Sequence, residues 1–118
     1  MKYYKDLKVW QKSMDLAILI YQLVKTLPKD EIFVLSSQMR RAAISIPSNI
    51  AEGQSRKSTK EFQRFLSIAK GSNSELETQL MICVRIGYLS NNVVEPLLSL
   101  TEEIAKMLFS LSKTLEKC

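Results

Sequence analysis

Histidine is absent from this chain of 118 residues. That absence removes the usual general base, the usual activator of a nucleophile and the commonest metal ligand together. Carboxylates and tyrosines could still do acid–base work, but the composition argues against an enzyme. Cysteine occurs only as Cys83, inside an apolar pattern, and Cys118 at the last position. Two such residues give neither a disulfide framework nor metal-ligand spacing, and Cys83 reads as a small core residue. Three glycines and three prolines are too few for a turn-rich sandwich or barrel. No aliphatic run exceeds the five residues from Leu16 to Ile20, far short of the roughly 20 residues a membrane span needs. The opening Met1-Lys2-Tyr3-Tyr4-Lys5-Asp6 is not a secretory signal. The expectation is a cytoplasmic protein, one domain over residues 1–118, with no membrane partner, metal or cofactor.

Hydrophobic residues make up 46% of the chain and charged residues 25%, an ordinary globular balance. The net charge of +5 is unevenly placed. Residues 40–70 carry Arg40, Arg41, Arg56, Lys57, Lys60, Arg64 and Lys70 against Glu52 and Glu61, which equals the net charge of the whole chain. Residues 1–12 add Lys2, Lys5, Lys8 and Lys12 against Asp6, and the remainder is acidic. Such an asymmetry is the footprint of a polyanion binder, and also of a merely soluble basic protein.

Four segments show helical periodicity. The first spans about Leu7 to Leu27, where Trp10, Met14, Ala17, Tyr21 and Val24 recur at four- and three-residue steps beside Leu16, Ile20, Leu23 and Leu27. Pro28 ends it. The second spans about Asp30 to Ser55, with Asp30 as cap and Leu35, Met39, Ala42, Ile46, Ile50 and Gly53 as core stripe. Pro47 breaks the helix rule and predicts either a kink or two shorter helices. The third opens on Ser58-Thr59-Lys60-Glu61, a capping-box pattern, and carries Phe62, Phe65, Leu66, Ala69, Leu76, Leu80, Cys83 and Ile86 toward Gly87. Gly71-Ser72-Asn73-Ser74 interrupts it either as a break or as a tight helix crossing, and the in-phase return at Leu76 favours the crossing. The fourth begins after Asn91, with Asn92 as cap and Pro96 in the first turn. Its seams are Val93, Leu97, Leu100, Ile104, Met107 and Leu111, and Val94, Leu98, Ala105, Leu108 and Leu115. Short connections make neighbours antiparallel, so the expected fold is all-α, an up-down-up-down four-helix bundle.

Projection of the second helix turns Leu35, Met39, Ile46 and Gly53 inward. Gln38, Arg41, Ser45, Ser48 and Glu52 form a polar flank with Asn49 at its border, while Arg40, Ile44 and Pro47 lie nearly opposite the core. An Ile and a Pro facing outward predict an oligomer contact. Arg41, Ser45, Asn49, Glu52 and Glu75 read either as a polar network fixing helix register or as a ligand or catalytic site. Arg56, Lys57, Lys60 and Arg64 read either as a phosphate-contacting patch or as a solvated turn. Basic residues without interleaved aromatics suit backbone contact better than base reading. Tyr3, Tyr4 and Trp10, set among lysines, either dock on a partner or cover the end of the bundle.

Leu7-Lys8-Val9-Trp10-Gln11, Gln38-Met39-Arg40-Arg41-Ala42 and Ser45-Ile46-Pro47-Ser48-Asn49-Ile50-Ala51-Glu52-Gly53 resemble the bacterial four-helix-bundle proteins encoded in intervening sequences of 23S ribosomal RNA genes. The likeness continues through Glu61-Phe62, Phe65-Leu66, Ala69, Gly71-Ser72, Glu75-Leu76-Glu77-Thr78 and Gly87-Tyr88-Leu89, nearly the whole chain in order. It implies an antiparallel bundle assembled as a homopentamer, with no established enzymatic activity. It also implies kinship with accessory proteins of diversity-generating retroelements, which bind a reverse transcriptase and nucleic acid. The sequence-based expectation is a non-enzymatic homo-oligomer that binds structured RNA or DNA through Arg40, Arg41, Arg56, Lys57, Lys60 and Arg64. The alternative is a protein-interaction subunit, for example of a reverse transcriptase.

Overall fold

A computed structural model describes residues 3–31 and 33–118. Four helices follow one another: α1 (Lys8–Val24), α2 (Leu35–Ser55), α3 (Thr59–Arg85) and α4 (Asn91–Glu116), with single 3-10 turns at Tyr4–Asp6 and Lys29–Glu31. The helices close a ring in which α1 packs on α2, α2 on α3, α3 on α4 and α4 on α1. Gly53 meets Phe65 and Cys83 meets Met39, so α2 and α3 run antiparallel. Gln63 reaches Ser112 and Asn73 reaches Thr101, so α3 and α4 do too. The result is an elongated bundle of 46 × 24 × 19 Å. Among the described residues no helix is long and apolar enough to cross a membrane.

The buried layer is aliphatic, with Leu16, Ile20, Met39, Ile46, Ile50, Leu76, Leu80 and Ile104 fully enclosed. Cys83 belongs to it, and burial pushes its thiol pKa up. On α1 the buried line is Val9, Ser13, Leu16, Ile20 and Val24, so of the expected stripe Leu16, Ile20 and Val24 are enclosed and Met14 and Tyr21 are not. Met14 is 38% and Tyr21 41% exposed. Both edges of the stripe obey helical spacing, and the packing of α2 and α4 selects the more aliphatic one. The displaced edge becomes an apolar flank on the outside of the bundle.

Helix α2 starts at Leu35 rather than Asp30. Asp30 lies instead in the turn Lys29–Glu31, where the Glu31 carboxylate accepts a hydrogen bond from the Tyr88 hydroxyl at 2.7 Å. That bond ties the α1–α2 connection to the α3–α4 turn. Ile32, within the expected helix, lies outside the described residues. The helix runs unbroken through Pro47, so the expectation of two shorter helices is corrected. Pro47 itself is buried, not turned away from the core. Because α2 is flanked by both α1 and α3, its buried arc is wider than one stripe and swings round to Pro47 on the α1 side. Ile44, one step beyond, stays 42% exposed.

Ser58 caps α3 by accepting from the Glu61 amide at 3.3 Å, but the Glu61 carboxylate turns to Arg64 instead of reaching back. Helix α3 is continuous through Gly71–Ser74. Its weak helix formers are held from both sides: the Ser72 hydroxyl donates to Ser45 Oγ at 2.7 Å on α2, and Asn73 Nδ2 donates to the Thr101 carbonyl at 2.9 Å on α4. No tight crossing occurs at Gly71, where a side chain would meet open space. The close approach is at Gly53, where an added Cβ would lie 2.7 Å from Phe65 Cβ. Ser90, not Asn92, caps α4 by accepting from the Val93 amide. Pro96 therefore falls in the second turn, on an exposed position where the lost hydrogen bond is open to water.

Candidate nucleic-acid interface

Antiparallel packing gathers the start of α1, the α2–α3 turn and the end of α4 at one end of the bundle. Lys5, Lys8, Arg56, Lys57, Lys60, Arg64, Lys113 and Lys117 lie there against Asp6, Glu52, Glu61 and Glu116. The opposite end carries Lys25, Lys29, Arg40 and Arg85 against Asp30, Glu31 and Glu95, a balance of only +1 and close to neutral. Positive charge is thus concentrated by the fold as well as by the sequence.

Phe65 organises the basic end. The Arg56 and Arg64 guanidinium carbons lie 5.2 and 4.7 Å from its ring centroid, within cation–π range. Each arginine also pairs with an acid one turn away: Arg56 Nη2 with Glu52 Oε2 at 3.0 Å, and Arg64 Nε with Glu61 Oε2 at 3.2 Å. The hydrogen bond from Arg64, reinforced by the charges of Arg64, Arg56 and Lys60, holds the Glu61 carboxyl below its ordinary pKa. Lys57 and Lys60 are exposed and, among the described residues, join no ion pair. Lys57 also adopts a left-handed backbone, φ 57°.

The structure separates the six cations singled out from the sequence. Arg56, Lys57, Lys60 and Arg64 share the basic end. Arg40 and Arg41 lie about 22 Å away along α2, from the helical rise of 1.5 Å per residue. Arg40 is half-buried with its guanidinium 6.0 Å from the Tyr21 ring, while Arg41 is exposed and takes part in no ion pair among the described residues. The basic patch therefore contains four of the six.

The polar flank divides in the same way. Asn49 Nδ2 donates to the Ser45 carbonyl at 2.7 Å and to Ser45 Oγ at 2.9 Å, and Ser72 completes a chain that joins α2 to α3. Glu52 is engaged by Arg56, and Glu75 accepts from Gln79 Nε2 at 3.2 Å. No hydrogen bond or ion pair among the described residues joins Arg41, Glu52 and Glu75. Ser45 and Asn49 are bundle-fixing groups, and the arginine–carboxylate constellation is not assembled.

Two features escape a sequence reading. A buried polar bridge ties α3 to α4, with the Thr101 hydroxyl donating to Glu77 Oε2 at 2.8 Å and Asn73 held on the Thr101 carbonyl. At the basic end, Tyr3 and Tyr4 line a pocket shared with Lys57, Ser58 and Thr59. Tyr4 is half-buried and meets Trp10 edge-on at 5.4 Å, so the aromatic start of the chain covers the end of the bundle. Lys2, counted with this segment, lies outside the described residues. Among those described, no group of three or more His, Cys, Asp or Glu could hold a metal ion.

An antiparallel four-helix bundle with one basic end and an apolar outer flank defines a class of small all-helical proteins. Within that class, the family model for the 23S rRNA-intervening sequence protein matches residues 5–110, and the chain belongs to that family. A crystal structure of a protein with unknown function from the S23 ribosomal protein family of Bacteroides thetaiotaomicron VPI-5482 is similar. The two share 33% identity and a TM-score of 0.83 over 89% of this chain and 98% of that one. Comparison with curated proteins gives no match.

Proposed function

We propose that the protein is a non-enzymatic, homo-oligomeric bundle that binds RNA, or nucleic acid more loosely, through its basic end. The observation that carries this reading is the pair Lys57 and Lys60, exposed and in no ion pair, beside two arginines held in place on Phe65. Free ammonium groups on a rigid turn suit phosphate contact, which positions a polyanion without reading its sequence. Assembly would use the α1–α2 flank, where Trp10, Met14, Ile18, Tyr21 and Ile44 line an apolar groove of about 600 Å³. A ring of copies, a pentamer by the family likeness, would repeat the basic end and turn a weak patch into useful avidity.

The test is fluorescence anisotropy of structured RNA, duplex DNA and a single strand across a salt series. The expected result is binding that weakens steeply with salt, with a slope of about −0.7 to −0.9 per phosphate contacted. Replacing Lys57 and Lys60 with Ala should reduce that slope by about 1.5. Absence of binding at low salt would overturn the reading. The protein-interaction alternative draws on the other end of the bundle, where Phe33 is 89%, Val34 61% and Ile86 53% exposed. A reverse transcriptase or similar polymerase retained by the wild type and lost on Phe33→Ser would favour it.

A further inference from the structure

The basic end also holds a cavity. It measures about 640 Å³, within the roughly 300–1,000 Å³ usual for small-molecule sites. It is lined by Tyr3, Tyr4 and the buried Phe62 together with Lys57, Ser58 and Thr59, whose exposure puts them at its rim. The two tyrosine rings are 4.6 Å apart between centroids and inclined at 49°. Tyr4 is braced by Trp10, so the outer ring, Tyr3, projects from a fixed aromatic base and is 53% exposed. The ammonium of Lys5 lies 5.4 Å from the Tyr3 centroid. The sequence separates Tyr3 and Tyr4 from Lys57 by more than fifty positions. Folding interleaves them.

We infer that this cavity takes one unpaired nucleotide, its base against the tyrosine wall and its phosphate toward the Lys57 ammonium on the rim. The inference deepens the nucleic-acid reading above and rests on it. An aromatic wall offers every base a stacking surface and needs no particular sequence. A cation on the rim, free of any ion pair among the described residues, supplies what a phosphate requires and what a purely apolar ligand would leave unused. A nucleotide inside a duplex has both ring faces covered and its edge paired, so only an unpaired one can enter. The site therefore gives the basic end a preference that phosphate contact alone does not: single strands over blunt duplexes.

The experiment compares a labelled single-stranded RNA with the blunt duplex of the same sequence, using the full chain at one salt concentration. Wild type, Tyr3→Ala and Tyr3→Phe are titrated side by side. Tyr3 is exposed and outside the helices, so its replacement leaves the core intact, and circular dichroism checks this. The expected result is tighter binding of the single strand by wild type, a loss of about tenfold or more for that strand alone in Tyr3→Ala, and retention in Tyr3→Phe. The salt slope should not move, because no charge is removed. If wild type binds strand and duplex alike and Tyr3→Ala changes neither, the cavity assignment is overturned and phosphate contact stands. If wild type binds neither, the nucleic-acid reading falls and takes this inference with it.

Discussion

Each end of the bundle must reverse the chain into or out of α3, and each does so with one residue of positive φ. At the neutral end that residue is Gly87, φ 85°, and at the basic end it is Lys57, φ 57°. Glycine adopts such a backbone without steric penalty, whereas a residue with a Cβ loses about 1–2 kcal/mol there. Only the neutral end uses the cheap solution. The turn at Lys57 needs no lysine for its geometry, so the positive φ does not account for the cation there. The ends differ likewise in what surrounds the turn. Tyr88 and Glu31 clasp the neutral end by an internal hydrogen bond, while the basic end leaves two lysines and a tyrosine facing solvent. One end is finished internally. The other leaves cations unpaired among the described residues, as the proposed nucleic-acid contact requires.

The largest effect expected is at Gly53, which lets α2 and α3 close beneath the basic end. Gly53→Val would bring Cβ to 2.7 Å from Phe65 Cβ and 3.4 Å from the Phe62 backbone. A loss of about 1–3 kcal/mol should follow, read from the urea midpoint. Phe65 carries Arg56 and Arg64, so RNA affinity should fall in the same variant. The two turns then make a matched pair. Gly87→Ala should cost about 1 kcal/mol, because its cavity is open but its backbone is not suited to a side chain. Lys57→Gly should instead gain about 0.5–1 kcal/mol while weakening nucleic-acid binding. Equal effects of both changes on stability and on binding would erase the distinction between the ends. Gly71→Ala provides a neutral reference. It is exposed within α3 with open space around it, so helix propensity alone should stabilise by about 0.5–1 kcal/mol.

Much of the fold was legible because helical spacing, Pro28 and the Ser58 cap are local signals. The order of four helices and their antiparallel ring follow from those signals and short connections. What misled was the choice of edge within a stripe. On α1 the expected stripe is broad, and only the neighbouring helices decide that its Leu16, Ile20 and Val24 are buried while Met14 and Tyr21 stay outside. On α2 the wheel centred on Met39 and Ile46 missed that a second neighbour draws in Pro47. The candidate site was half legible. Arg56, Lys57, Lys60 and Arg64 are close in sequence and remain close in space. Arg40 and Arg41 share the charge run but not the place, since helix rise carries them to another part of α2. The tyrosine wall and the Asn73–Thr101 bridge depend on contacts between distant segments, which no local pattern announces.

The smallest expected effect tests the neutral end by pH. The Tyr88 hydroxyl donates a hydrogen bond to Glu31, and that bond, with burial and the carboxylate's negative charge, raises its pKa above the ordinary 10.0. Above about pH 10 the unfolded chain has released the Tyr88 proton while the native protein still holds it. Native protein then binds more protons than unfolded, so stability falls as pH rises. The contribution is complete below pH 10 and is lost as pH climbs through the native value. Cys83, raised by burial from an ordinary 9.0, acts in the same direction from a lower starting pH. Urea midpoints taken from pH 8 to 11 should therefore decline in wild type, and Tyr88→Phe should flatten the part above pH 10 while leaving the earlier part to Cys83. RNA affinity at pH 8 should be untouched, because Tyr88 lies at the end without the basic patch. An unchanged pH profile in Tyr88→Phe would remove the clasp, and with it the view that this end is closed on itself.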